Sequence, residues 1–402
     1  MRMIRSIING FRQIQVYFIG EVKEIFRDSG TVVLFIIAML AYPVIYAIGY
    51  MEETATEIPV AFVNLNDGAL SHKLGRMIDA TEQVRIVSRV SSLQEAEELY
   101  YRNEVAGVIV VDRDFEKDIL SGRQGNVSVY SDASHFLLYK QVYSATVYAS
   151  QTLGAAVEVN SLINKGKTME QALVMREPLS IKTYNLYNPA GGYASFIVPA
   201  ILIILVQQTL LIGIGLLYGK HNERRSYHYL KDGMRRPFEE IKIIIGQTMA
   251  FMLIYLVTTF LIMGLFYRWM ALPDKSGLLN TYLLMIPYLA AVSFMGISIG
   301  LLFSKRVYAL LFLVFLSPIL FFISGVAWPV EALPPLLYKA SYILPSTPMV
   351  NAFIRLRVMG ASLQSVSPEF NILLVQMLAY FLLAAIVYRI KLKRLRQEMA
   401  AL

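Results

Sequence analysis

Apolar residues fall into two kinds of run along this chain. Six runs are long and almost unbroken: 31–50, 193–217, 245–267, 281–303, 307–324 and 371–390. A hydrocarbon core about 30 Å thick takes about 20 apolar residues in helical form, so each run predicts a helix that crosses a membrane. Ahead of the first, Ile4, Ile7, Ile8, Phe11, Ile14, Phe18, Val22 and Ile25 recur at helical spacing, with Arg5, Arg12, Glu21, Lys23 and Glu24 assigned to the opposite side. That pattern predicts an amphipathic helix lying in the membrane interface and occupying the segment 1–30.

The second kind of run is short and β-branched, and it fills the stretch 51–192 between the first two spans. IPVAFVNL (58–65), VRIVSRV (84–90), GVIVV (107–111) and NVSVY (126–130) predict strands. Polar helical periods separate them at 69–80, at 92–103 and through DFEKDIL. Such β-α alternation predicts a small α/β domain with a partly parallel sheet. A helical pattern then runs from about 134 to 166, and PLSIKTYNLY (178–187) reads as a last strand. Asn64, Asn66 and Asp67 read as a strand-to-helix turn with its caps.

Composition agrees with the long runs. Of 402 residues, 56% are hydrophobic and 16% charged, against about 25% charged in soluble domains. The net charge of +8 is unevenly spread: residues 52–190 hold 13 Lys and Arg against 18 Asp and Glu, so the excess of positive charge belongs to the membrane part. Basic residues number 5 in 1–30, 7 in 218–242, 2 in 304–306 and 5 in 389–402, but only 2 in 268–280 and 3 in 325–370. The positive-inside rule then places both termini in the cytoplasm and 51–192 outside it. Charges gathered at span ends speak for lipid heads rather than nucleic acid. No cleavable signal peptide is evident in the first thirty residues, and with no cysteine in the chain thiolate and disulfide chemistry are excluded.

Candidate chemistry is sparse. No phosphate-cradling GxxxxGK[ST] and no HExxH occurs. His72 and His135 in the insert lack further ligands at metal spacing and read as surface or capping residues, and His221 and His228 lack a third. Asp274, Glu331 and Glu369 are too scattered in sequence to suggest a membrane-embedded transferase. The spans carry Gln207, Gln208, Thr209, Gln247, Thr248, Ser293, Ser298 and Gln376; these either bond between helices or line a translocation route. Pro43, Pro199, Pro287 and Pro318 interrupt spans, and Gly215 with Gly219 and Gly296 with Gly300 permit close helix contact. The loop 218–242 is too long for a tight turn and, broken by Gly233 and Pro237, predicts two short helices that dock a soluble partner. After the fifth span, SGVAWPVEALPP and LLYKASYILPSTP place Trp328, Pro329, Pro334, Pro335, Pro345 and Pro348 where a helix would otherwise continue.

In order along the chain, the amphipathic start, NERR (222–225), RRPFEEIKIIIGQ (235–247) and the proline-rich run from 324 onward resemble the permease subunit of an ABC-2 type ABC exporter, also termed type V. The likeness covers essentially the whole chain and is to the subgroup with a large extracytoplasmic domain between spans one and two. It implies a polytopic α-helical fold with an interfacial helix, an outer re-entrant segment (325–370) covered by a neighbouring subunit, and a dimer of identical or paralogous permeases. It also implies a cytosolic ATPase dimer that binds ATP and Mg, with Glu223, Arg224, Arg225, Lys231, Asp232, Arg235 and Arg236 as coupling residues. SYHYLKDG stands where the family has Gly-Thr-x-Glu. The implied activity is outward export of an amphipathic, lipid-like or drug substrate across a bacterial inner membrane. An envelope scaffold acting through the inserted domain is the alternative, and it would need no nucleotide-binding partner.

Overall fold

The computed structural model describes residues 2–49, 55–179, 181–184, 186–188, 192–224, 239–326, 328 and 332–400, and the statements below concern these. The chain forms two compact units, one of Met1–Met51 with Leu186–Leu402 and the other of Glu52–Asn185.

The first unit is helical. It opens with α1 (Arg2–Arg27) and contains six helices long and apolar enough to cross a membrane: Ser29–Tyr46, Ile197–Arg224, Glu239–Trp269, Leu278–Gly300, Arg306–Ile323 and Ser367–Arg394. Asp28 starts the first by accepting the Thr31 N–H at 2.9 Å, the ordinary solution for an orphaned helix donor. The second and fourth spans form the centre, with 94% and 83% of their apolar windows inside the unit against 17% for the fifth and sixth. Small residues allow this. A Cβ on Gly215 would lie 2.5 Å from Leu313, and one on Gly219 2.7 Å from the Arg306 Cα. Gly296 and Gly300 likewise face Ile214 and Tyr218 of the second span, so both glycine pairs bring backbones together. The four span prolines all lie inside helices that continue past them.

Helix α1 packs along the third span, and this corrects the faces read from periodicity. Glu21 is wholly buried and Glu24 nearly so, although both were assigned to the polar side. Phe11, on the apolar side, is exposed. Gly246 decides the matter: its missing Cβ would sit 2.8 Å from the Ile14 carbonyl oxygen, so the two backbones touch on the stripe that carries Tyr17 and Glu21. Periodicity locates a face by hydrophobicity, whereas here the partner helix supplies polar groups for it.

The second unit builds a four-stranded sheet in the order β2-β1-β3-β4, from β1 (Ile58–Asn64), β2 (Val84–Val90), β3 (Gly107–Val111) and β4 (Val127–Ser131). β1 pairs in parallel with β2 and β3, and β3 antiparallel with β4. One face packs Val60, Phe62 and Ile109 under α2 (Ala69–Asp79), α4 (Phe115–Leu120) and α5 (Phe136–Asn164). The other packs Ala61, Val63 and Val108 on Ala96 of α3 (Leu93–Tyr101). Burial on both faces explains why β1 and β3 read as continuous apolar runs.

The Asn64 carboxamide accepts the N–H groups of Asn66 and Asp67, so NLNDG is the turn expected of it. At the start of α5 the Ser134 hydroxyl and N–H and the His135 ring hold the Asp132 carboxyl down to about 2. After α5 comes α6 (Met169–Arg176), closed by a reciprocal Thr168–Gln171 cap, which the pattern had not suggested. The described residues of 178–187 form no strand. They pair with neither edge strand, β2 or β4, and Leu179, Ile181 and Tyr184 stay exposed.

Between the fifth and sixth spans stand α7 (Pro335–Ser341) and α8 (Ser346–Phe353), with a π-helical turn at Ile354–Val358. Pro335 sits at the first position of α7 and Pro345 caps α8, positions where a missing N–H costs nothing. Pro348 is buried inside α8, Trp328 is exposed, and Pro329 lies outside the described residues. The cover expected from a neighbouring subunit comes instead from the chain itself for α8, whose Met349, Val350, Ala352 and Phe353 are buried against the second, fourth and sixth spans. The apolar side chains of α8 find those spans close by, whereas Leu336, Leu337 and Ile343 stay exposed.

Candidate functional site

A polar seam runs through the apolar centre. Thr209 returns its hydroxyl to the Leu205 carbonyl at 2.6 Å and accepts from the Tyr255 hydroxyl at 2.9 Å, joining the second and third spans. Gln207 accepts the Ser346 N–H at 2.9 Å, which fastens the start of α8 to the second span. Gln247 accepts from Tyr218 at 2.6 Å and donates to Glu21 at 2.8 Å. Gln376 donates to the Tyr342 carbonyl at 2.6 Å. Ser293 and Ser298 each bond only the carbonyl four residues back, at 2.7 Å, and bridge nothing.

Gln208 is different. It is 93% buried and its Nε2, like that of Gln207, has no hydrogen-bond partner among the described residues, but Gln208 alone of the two has open space beside it. It borders a cavity of about 310 Å³ that also takes in Leu34, Tyr42 and Tyr46 of the first span and Ser317, Pro318 and Phe321 of the fifth. An amide left unsatisfied in an apolar wall costs about 1–3 kcal/mol unless something enters to meet it. Thr248 is also buried with an unpartnered hydroxyl but does not border this cavity. The seam residues therefore do not form one lining: Gln208 and Thr209 share the cavity, and Gln207, Gln247, Thr248, Ser293 and Ser298 lie outside it.

At the end of the unit where the first span begins, Asp28 gathers three elements. Arg306 grips its carboxylate with two nitrogens, at 2.6 and 2.9 Å, and the Lys220 ammonium stands 3.2 Å away. Burial pushes the Asp28 carboxyl up, but the Arg306 guanidinium, the Thr31 N–H and hydroxyl and the Lys220 ammonium outweigh it and hold it well below the usual carboxylate range. Gly30 makes the room, since a Cβ there would meet Arg306 Nη2 at 2.3 Å. Glu223 is exposed and accepts the Arg306 N–H at 3.3 Å, at the start of the fifth span. Arg224 is exposed at the end of the second. Arg225, Lys231, Asp232, Arg235, Arg236 and His228 lie outside the described residues; of the loop 218–242, expected to form two short helices, 218–224 instead continue the second span and 239–242 open the third, while 225–238 lie outside the described residues. Tyr17 donates to the buried Glu239 at 2.7 Å, and Lys242 bridges Glu239 and Gln13.

At the other end, Arg357 is wholly buried in the π-helical turn after α8. Two of its nitrogens bond Asp274, Nη2 also reaches the Met263 carbonyl at 3.3 Å, and the guanidinium stands 4.3 Å from the Tyr267 ring centre. Met263 belongs to a second π-helical turn, Ile262–Phe266, where the displaced hydrogen-bond ladder frees a carbonyl to accept. Arg355 pairs with Glu369 at 2.5 Å. Asp274 and Glu369, scattered in sequence, thus each hold an arginine. The signal for these pairs was weak, although Asp28 before an apolar run is a cap signature.

Among the described residues no group of three or more His, Cys, Asp or Glu side chains is placed to hold a metal ion. The family model described as ABC-2 family transporter protein matches residues 29–386, from the first span through the sixth. The inner membrane transport permease YhhJ of Escherichia coli (strain K12) is 25% identical over 283 residues, which cover 70% of this chain and 72% of that protein. The protein of the same name from Shigella flexneri matches to the same extent. With six apolar helices and a match across most of its length, the chain belongs to the ABC-2 family of transporter proteins and is an integral membrane permease subunit.

Proposed function

We propose that this permease exports an amphipathic, lipid-like or drug substrate outward across a bacterial inner membrane, paired with a second copy or a paralogue. The drive comes from a cytosolic ATPase dimer that binds ATP and Mg. Members of the family work with an ATPase subunit, and both relatives are inner membrane transport permeases by name. In this reading the end carrying Asp28 faces the cytoplasm, as do α1 and the last turns of the sixth span. The inserted α/β unit and the segment 325–370 lie on the outer side.

The observation that carries the reading is the cavity beside Gln208. It lies between the first, second and fifth spans, is mostly apolar, and offers one buried amide donor without a partner. That suits a greasy cargo with one polar group. Movement would come from the ATPase through Glu223, Arg224, Arg225, Lys231, Asp232, Arg235 and Arg236. Because Glu223 meets the first residue of the fifth span, a push there reaches a cavity wall. ATP binding by the docked pair favours one of two helix packings.

The test is co-expression with a candidate cytosolic ABC ATPase subunit, followed by ATP-dependent uptake of a fluorescent lysophospholipid into inverted vesicles. Gln208→Leu is expected to cut uptake about tenfold, the weight of one buried hydrogen bond, while ATP hydrolysis continues. Charge reversal at Glu223, Arg224 and Arg225 is expected to separate hydrolysis from uptake. Full transport in both variants, or a purified complex with no nucleotide-binding protein, would overturn the proposal and leave the scaffold reading.

A further inference from the structure

In the second unit the helical cover of the sheet is incomplete. α4 and α5 part above β4 and leave a cleft of about 1080 Å³, near the upper end of the roughly 300–1,000 Å³ that small-molecule sites occupy. Its floor is apolar, with Phe115 and Ile119 of α4, Val127 and Val129 of β4, and Leu153 and Val157 of α5. Tyr139 and Tyr143 stack beside it at 5.9 Å.

Two features speak against simple loose packing. Gly154, within α5, borders the cleft, and a Cβ there would meet nothing within 4 Å. A glycine inside a helix costs about 0.5–1 kcal/mol relative to alanine, and no close contact requires this one; its effect is to keep the cleft wide. The Ser150 hydroxyl one turn earlier is buried with no partner among the described residues, so the wall offers an unmet polar group.

The rim sets the charge of an occupant. Arg123 is bound to Asp118 at 2.6 Å. Glu158 of α5 and Lys165, the residue that caps its C-terminal end, are seven residues apart and border the cleft, and neither has an ion pair among the described residues. They stand about 10 Å apart along the helix axis, and their side chains can converge on one group between them. We propose that this cleft binds a single-chain amphiphile with a zwitterionic head. The chain lies over Phe115, Ile119 and Val129, and the head sets its phosphate or carboxylate toward Lys165 and its ammonium toward Glu158. The inference concerns the inserted unit alone and stands whether or not the transport proposal does.

The test uses the full chain in phosphatidylcholine nanodiscs with lysophosphatidylcholine carrying a diazirine in its acyl chain, and maps adducts by peptide mass spectrometry. Peptides of 115–131 and 139–162 are expected to be labelled, and unlabelled lysophosphatidylcholine to compete. Gly154→Leu fills open space and raises helix propensity, so it should fold and lose about tenfold of this labelling while span peptides, the internal control, label as before. Lys165→Gln and Glu158→Gln should each weaken labelling about threefold. The proposal is overturned if the cleft peptides label no more than α3, if Gly154→Leu leaves their labelling unchanged, or if cross-links join the cleft to another copy of the chain.

Discussion

The two ends of the membrane unit are each tied by a carboxylate and an arginine, but they are built differently. Around Asp28 the carboxylate is the buried member, 5% exposed, while its partners Arg306 and Lys220 keep 32% and 12% of their side chains accessible. Around Arg357 the order is reversed: the cation is wholly enclosed and Asp274 keeps 37% of its side chain accessible. A buried anion with two cations that each retain some access to water tolerates the loss of one of them. A buried cation with one anion does not, because the stranded charge has no route to water. One end is therefore suited to adjust, and the other to stay closed.

The sharpest way to break this comparison is Asp274→Ala. It leaves Arg357 enclosed and unpaired and should cost about 4 kcal/mol, read as thermal unfolding in detergent; Asp274→Ala with Arg357→Met should recover much of it. If the single variant proves no less stable than wild type, the enclosed cation is not held as described. Asp28→Asn should cost less, about 2 kcal/mol, since Arg306 can turn to solvent.

Its pH dependence sharpens the point. The folded chain holds Asp28 well below the ordinary range, so as pH falls the unfolded chain takes up the proton first. The advantage of wild type over Asp28→Asn should be full above about pH 4 and shrink below it. An advantage that instead grows with acidification would reverse the assignment.

Lys220→Met comes next, at about 1 kcal/mol, because Arg306 remains on the carboxylate. Ser298→Ala should fall within about 0.5 kcal/mol of wild type, since its hydroxyl only returns to its own helix. A loss comparable to that of Asp28→Asn would show that the seam is tighter than its bonds indicate.

Much of the architecture was legible in the pattern of residues. Each of the six apolar runs overlaps one of the six apolar helices, and VRIVSRV and GVIVV are β2 and β3 to the residue. Both signals are local: span length follows from membrane thickness, and a strand buried on both faces has to be apolar. The candidate path was legible only in part. Gln207, Gln208 and Thr209 are adjacent in sequence, yet one caps α8, one borders a cavity and one joins two helices. Successive helical residues point about 100° apart, and only the neighbours decide what each one meets.

Local pattern, then, determined by itself that this chain forms six helices long and apolar enough to cross a membrane and carries an α/β insert, because hydrophobic length and strand alternation act within single elements. The tertiary structure alone decided that Glu21 turns inward, that the described residues of 178–187 stay out of the sheet, and that Arg357 is sealed against Tyr267 and Asp274. Those outcomes depend on groups brought together from as many as 226 residues apart, as Glu21 and Gln247 are. A charge is buried only where the fold delivers its partner.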